Sequence, residues 1–311
     1  MVIPIYCMAQ FQLNILGCGS AIPTARHNPS SQILDIRDNL FMIDCGEGAQ
    51  LSMRKMRLKY TRLNHIFISH LHGDHCFGLI GLLSSMALQE KTGSVTIHIF
   101  EDGAELFDQQ LKFFCRDVPF DIKFNVIKPS REVIFESHAI TVETIPMSHR
   151  VPCVGFLFKE KPKLRHLKGD MVKFYNVPIK DLHGIKEGND FITADGVVVP
   201  NARLTTDADP VMSYAYCSDT TFNPQIAEMI KGTNTIYHEA TYSNEFAHLA
   251  RPRGHSTAAE AARIAQLAEA KQLILGHFSK RYRDESPLLN EAKEIFPNTI
   301  LANDGMRIDL L

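Results

Sequence analysis

Ser69-His70-Leu71-His72-Gly73-Asp74-His75 gathers three imidazoles and a carboxylate within seven residues, directly after the apolar run Ile66-Phe67-Ile68. On a tight loop leaving a strand, two histidines one residue apart can present both rings to a single ion. The Asp-His pair that follows can then serve a second ion a few ångströms away. Imidazole with carboxylate suits zinc, and manganese or iron accept the same set. Four side chains do not fill two coordination shells, so further ligands must arrive from other strand ends. Three candidates stand just past an apolar run: His149 after 140–145, Asp219 after 214–218 and His277 after 273–276. Asp219 is the best bridging candidate. Two metals that share a carboxylate and a water form a hydrolytic device, because the shared water deprotonates near neutral pH while the ions hold the substrate oxygens. Asp74 can ligate one ion and orient or deprotonate that water. His255 stands immediately before a helix start, where anions are favoured, and could donate to a phosphate oxygen or protonate a leaving alkoxide. Asp44, Glu47 and Glu239 are candidates for fixing histidine tautomers from behind the ligands. Cys76 adjoins His75, but a small buried thiol is the commoner use of such a residue.

The elements that must position these groups alternate along the chain. Strand patterns rich in Ile, Val, Leu and Phe fall at 10–17, 31–36, 40–44, 64–69, 95–100, 122–127, 131–136, 139–145, 153–158, 213–217, 235–239 and 273–275. Helical patterns fall at 48–57, 76–90, 104–115, 222–231, 257–271 and 287–294. Thr257 and Glu260 have capping-box spacing at one of those starts. Strands crowded toward the front with interspersed helices predict sheets packed together and helices outside them. His238-Glu239-Ala240-Thr241 spells a word used for helical repeats, but no such period accompanies it.

Bulk properties exclude several classes. With 311 residues, 45% apolar and 22% charged, the chain is an ordinary globular one, large enough for a real core. A net charge of −2 makes the whole molecule no magnet for nucleic acid, so any such contact needs a local basic patch. The seven cysteines show no C-x-x-C spacing and read as reduced thiols of a cytoplasmic protein. No apolar run approaches the roughly 20 residues of a membrane span, so no membrane partner is expected. The apolar start, Met1 to Met8, lacks the basic region of a signal peptide.

One stretch breaks the rhythm. From about 159 to 210 no core periodicity is evident, and the stretch opens on Lys159, Lys161, Lys163, Arg165 and Lys168. A compact domain rarely keeps so long an irregular segment without a use for it.

With these words in view, the chain resembles the metallo-β-lactamase superfamily and, within it, the ribonuclease Z family of tRNA 3′-processing endonucleases. The resemblance lies in Ile15-Leu16-Gly17-Cys18-Gly19-Ser20-Ala21, Asp44-Cys45-Gly46-Glu47-Gly48, the His70 to His75 motif and Gly78-Leu79-Ile80-Gly81-Leu82-Leu83. It continues in His238-Glu239-Ala240-Thr241, Gly254-His255-Ser256-Thr257 and Gly276-His277-Phe278-Ser279-Lys280-Arg281-Tyr282. The ending Ala302-Asn303-Asp304-Gly305-Met306 is similar to the family's last strand.

The resemblance implies an α/β fold, the four-layer αβ/βα sandwich, as a single domain over 1–311 with an arm inserted at about 159–210. It implies two zinc ions: His70, His72 and His149 on one, Asp74, His75 and His277 on the other, and Asp219 bridging. Asp74 would accept a proton and His255 would assist the leaving group. It further implies a homodimer acting on precursor tRNA, whose phosphates Lys161, Lys163, Arg165 and Lys168 would contact without reading sequence. A start near Met8 rather than Met1 also fits the family. Two words depart from its pattern: 176–182 lacks the Gly-Pro turn of many arms, and Pro23-Thr24-Ala25-Arg26-His27-Asn28 lacks two basic positions of a P-x-K-x-R-N loop. The rival readings are a small-molecule phosphodiesterase or esterase on the same scaffold, a tRNA-binding subunit without catalysis, and an iron-loaded redox scaffold.

Overall fold

Strands whose residues are buried on both faces need cover on both sides, and that requirement organises this molecule. The computed structural model describes residues 11–310; the choice between Met1 and Met8 as the start lies outside them. The first sheet contains β1 (Phe11–Gly17), β2 (Ser31–Ile36), β3 (Asn39–Cys45), β4 (Leu63–Phe67), β5 (Ser94–Ile99) and β6 (Asp121–Val126). The next three strands, β7 (Val133–Glu136), β8 (Ile140–Pro146) and β9 (Val154–Glu160), open the second sheet. Four two-residue strands follow: β10 (His166–Leu167), β11 (Phe191–Ile192), β12 (Val198–Val199) and β13 (Thr205–Thr206). The second sheet resumes with β14 (Ser213–Cys217), β15 (Thr235–Glu239), β16 (Gln272–Gly276) and β17 (Thr299–Leu301), and β18 (Arg307–Asp309) returns to the first.

The strand orders are β18-β1-β2-β3-β4-β5-β6 and β17-β16-β15-β14-β9-β8-β7. In the first sheet β18 to β3 are antiparallel and β3 to β6 parallel; in the second β14 to β17 are parallel. The sheets meet face to face. The ring of Phe67 lies 5.5 Å from Phe156 and 5.3 Å from Phe158, and Tyr216 donates to Asp44 across the gap. On the outer side of the first sheet, helices Ala49–Lys55, Leu79–Leu88 and Glu101–Phe114 bury Met53, Leu82, Leu83, Met86 and Phe107 against Leu40, Met42, Ile66 and Ile97. Helices Pro224–Met229, Ala258–Leu267 and Ser286–Lys293 lie along the second sheet. The result is the expected αβ/βα arrangement. The capping box at Thr257 forms as its spacing predicts, each partner holding the other's backbone N–H.

Residues 138–140 and 159–211 make a second compact unit. The irregular stretch is therefore corrected: it has elements and a small core of its own. Helices Gly169–Phe174, Leu182–Glu187 and Asn201–Leu204 accompany the pairs β10–β13 and β11–β12. Ile185, Phe191, Val199 and Leu204 are buried together, flanked by Leu167, Met171, Tyr175 and Val177. At the other end of the chain, residues 302–306 form coil and a turn between β17 and β18, not a strand. Gly305 takes φ +82° there, a conformation suited to glycine.

Two histidines sit among the aromatic rings between the sheets. His98 stacks on Phe67 with centroids 4.3 Å apart, accepts from Asn125 at 2.9 Å and faces His65 across 3.2 Å. Burial lowers His98 to about 3 and His65 to about 4, from an ordinary value of 6.5. Folded, both stay neutral at a pH where the unfolded chain takes up protons. Their contribution is thus complete above about pH 6.5 and is lost as pH falls toward 3–4. Urea midpoints should drop between pH 7 and 5 by more in the wild type than in His98→Gln. Parallel pH dependences would contradict this assignment.

Candidate metal centre

The residues singled out by spacing come together just past the ends of β4, β8, β14 and β16; open α/β sheets place ligands at such carboxyl ends. The chain leaves β4 through Ile68 and Ser69 into His70; the one-turn helix Gly73–Cys76 then carries Asp74 and His75. His149 follows β8, Asp219 follows β14, and His277 follows β16. Gly276 before His277 is required by space: a Cβ there would lie 1.9 Å from the Tyr237 hydroxyl.

Two clusters form on either side of Asp219. In one, His72 Nδ1 lies 3.0 Å from His70 Nε2 and 3.3 Å from His149 Nε2. Asp219 Oδ2 stands 3.7 Å from His70 Nε2 and 3.8 Å from His149 Nε2. In the other, His75 Nε2 and His277 Nε2 are 3.3 Å apart, with Asp74 Oδ2 at 3.6 and 3.4 Å from them. Asp219 Oδ1 faces that pair at 3.5 and 3.2 Å.

Behind the rings, hydrogen bonds fix which nitrogen is free. Ser69 Oγ donates to Asp44 Oδ2 at 2.9 Å, which leaves it to accept from His70 Nδ1 at 3.1 Å. His75 Nδ1 donates to Asp44 Oδ2 at 2.7 Å, and His149 Nδ1 to the Gly254 carbonyl at 2.7 Å. Thr241 Oγ1 donates to Glu239 Oε2 at 2.7 Å and accepts from His277 Nδ1 at 2.9 Å. Four rings therefore turn Nε2 toward the clusters, while His72 turns Nδ1. Asp44 stands behind Ser69 and His75, and Glu239 behind Thr241 and His255. Glu47, exposed at the cleft mouth, corrects the expectation that it too would fix a histidine tautomer. The supports that the sequence did not disclose are Ser69, Tyr216 and Thr241, polar groups inside otherwise apolar strand ends.

Electrostatics pull the two clusters apart. Burial holds His70 well below its ordinary value, and its imidazole neighbours add to that. Burial works against charge on His75 as well, yet Asp44, Asp219 and Asp74 outweigh it and lift that ring to about 10. Burial disfavours the Asp74 carboxylate, but His75 and His277 hold it far below the usual carboxylate range. His255 Nδ1 lies 3.0 Å from Glu239 Oε1; burial opposes its charge and Glu239 overcomes that, raising it to about 9. Asp219 Oδ1 is buried without any hydrogen-bond partner. An orphaned carboxylate oxygen that faces imidazole nitrogens fits a cation, since leaving it buried and unpaired is costly.

A cleft of about 420 Å³ opens over the clusters, lined by His72, Asp74, Asp219, His255 and His277 and rimmed by Ile22, Pro23 and Phe77. The four basic residues expected at RNA lie in the other unit. Three of them already have partners there: Lys163 with Glu160 at 2.9 Å, Arg165 with Asp207 at 2.9 Å, and Lys168 with the Ala202 carbonyl at 2.8 Å. Lys161 is half-buried.

Among solved structures, human tRNase Z, short form, aligns over 96% of this chain and 99% of its own, with TM-score 0.71 at 23% identity. YhfI of Bacillus subtilis, a metallo-β-lactamase fold protein, aligns over 96% of this chain and 98% of its own, with TM-score 0.66 at 17% identity. Fold and site together define a metal-dependent hydrolase of the metallo-β-lactamase fold. The family model described as Anti-Pycsar protein Apyc1 matches residues 11–176. Ribonuclease Z of Bacteroides fragilis is 51% identical over 304 residues, covering 97% of this chain and 100% of that protein. Ribonuclease Z of Parabacteroides distasonis is 50% identical over 304 residues, with the same coverage. The chain belongs to the ribonuclease Z family.

Asp44 carries the support of His75, so Asp44→Asn, which keeps the shape and removes the charge, should weaken metal retention about 10–100-fold. Competition with a chelator measures this, and an unchanged affinity would show that the carboxylate behind His75 does not matter.

Proposed function

We propose that this chain is a zinc-dependent endoribonuclease that removes the 3′ trailer from precursor tRNA. The observation that carries the reading is end-to-end identity of 51% with ribonuclease Z in a chain whose seven metal-ligand candidates converge on one cleft. His70, His72 and His149 would hold one zinc ion, Asp74, His75 and His277 a second, and Asp219 both. When bound, such a pair supplies an activated water and offsets charge on the scissile phosphate. Asp74 Oδ2, anchored by the Ala21 N–H at 2.7 Å, accepts a proton at the attacking side. His255, its Nδ1 committed to Glu239, turns its other nitrogen to the cleft and protonates the leaving oxygen. Glu239 supports two groups at once: His255 directly and His277 through Thr241.

The unit of residues 138–140 and 159–211 would bind the tRNA body. It carries nine Lys and Arg against eight Asp and Glu, so its affinity would come from placement of cations rather than from net charge. Lys161, Lys163, Arg165 and Lys168 are the phosphate contacts of this reading, although three also brace their own unit. The protein would act as a homodimer in the cytoplasm. Among the described residues no helix is long and apolar enough to cross a membrane.

A second reading, a small-molecule phosphodiesterase or esterase on the same scaffold, draws on the same ligand cluster, which would serve any ester that enters the cleft. One assay separates the two. The zinc-loaded protein should cut a 3′-extended precursor tRNA once, beside the discriminator base. Asp74→Ala should lower the rate by about 10²–10⁴-fold, the range for losing a positioned proton acceptor. Hydrolysis of a simple phosphodiester with an intact precursor would favour the second reading.

A further inference from the structure

Outside the histidine-rich cleft, a thiol, an imidazole and a carboxylate converge from distant parts of the chain. Cys18 Sγ lies 3.3 Å from His27 Nδ1 and 3.4 Å from Asp304 Oδ1, and the last two atoms are 3.4 Å apart. Cys18 is fully buried and the His27 side chain is 9% exposed. The ligand candidates of the cleft stand 3.0–3.8 Å from one another, so the spacing here is the same. An ion equidistant from the three atoms would lie about 2 Å from each, and tetrahedral zinc with one sulfur, one nitrogen and one oxygen sets ligand separations of about 3.3–3.6 Å.

The second observation concerns the far side of the ring. His27 Nε2 is buried and has no hydrogen-bond partner; Glu285 Oε1 is the carboxylate oxygen beside it, at 3.5 Å. Glu285 is itself held by Arg26 at 2.5 Å. With Nδ1 on a cation, the ring proton sits on Nε2 and faces that carboxylate. This is the carboxylate–histidine–metal arrangement, and Asp44 makes it behind His75 in the cleft. Charge also balances, since one thiolate and one carboxylate neutralise a divalent ion.

We propose that Cys18, His27 and Asp304 form a third metal site, for a zinc-class divalent cation, with a structural role. Binding forms a metal–sulfur bond and releases the Cys18 thiol proton to solvent; His27 binds as the neutral ring and Asp304 as the carboxylate. Asp304 borders a depression of about 270 Å³, from which water supplies the fourth ligand. The ion staples the segment after β1 to the turn before β18. That segment carries Ser20 to Pro23 along the cleft and the Ala21 N–H that holds Asp74. The site stands on its own geometry, whatever the substrate of the cleft.

The full chain is saturated with zinc or with cobalt, dialysed, and its metal counted. Three zinc ions per chain are expected, and two in Cys18→Ser or, should that variant not fold, in His27→Ala. The cobalt form should show a thiolate-to-cobalt charge-transfer band that Cys18→Ser abolishes and Cys153→Ser keeps. Cys153 is the control because its sulfur lies 3.6 Å from His70 Nδ1, beside the cleft. Two metals per chain without a thiolate band, or a band that survives Cys18→Ser, would overturn the proposal.

Discussion

The carboxylate of Asp44 is fully buried between two sheets, and the centre is built around satisfying it. A dry negative charge is tolerated only where donors surround it. Here four do: the Ser69 N–H at 2.7 Å, the Ser69 hydroxyl at 2.9 Å, the Tyr216 hydroxyl at 2.7 Å and His75 Nδ1 at 2.7 Å. These come from the exit of β4, from β14 and from the one-turn helix after His72, while Asp44 itself stands on β3. One side chain thereby ties both sheets together at the edge where the candidate metal ligands emerge. Asp44 even adopts φ +55°, a backbone position uncommon for a non-glycine residue. Strain of this kind persists where the surroundings over-determine it, and four donors do so.

From that anchor the rest follows by chains of hydrogen bonds. Asp44 sets Ser69, Ser69 sets His70, and Asp44 sets His75 directly. On the opposite side Glu239 receives the Thr220 and Thr241 N–H groups, the Thr241 hydroxyl and His255. The two buried carboxylates are thus counterparts, one per sheet, each orienting rings that point at Asp219. Asp219 itself keeps one oxygen without a hydrogen-bond partner, which suits a cation held between the two clusters. Support of this rigidity suits a centre that must hold its geometry while a large substrate comes and goes.

Much of this was legible in the sequence, because strands buried on both faces leave continuous apolar runs that end abruptly. His70, His149, Asp219 and His277 each stand just past such an end, so their convergence could be anticipated. Ser69, Thr241 and Tyr216 were not anticipated as supports. A hydroxyl in a buried strand reads as tolerated polarity until the acceptor across the sheet is known. The small core of Ile185, Phe191, Val199 and Leu204 escaped notice because its elements are only two to six residues long, too short to show a period. Cys18 and Asp304 are 286 residues apart, and only the return of β18 beside β1 brings them together.

As we propose, one carboxylate, Asp219, divides the candidate ligands into two ion sites. Anomalous scattering from crystals of the zinc-loaded protein, collected at the zinc edge, tests it most directly. Two peaks are expected in the cleft, one within bonding distance of His70, His72 and His149 and one of Asp74, His75 and His277, with Asp219 between them. A single cleft peak at full zinc loading, or an Asp219 turned away from both ions, would contradict it.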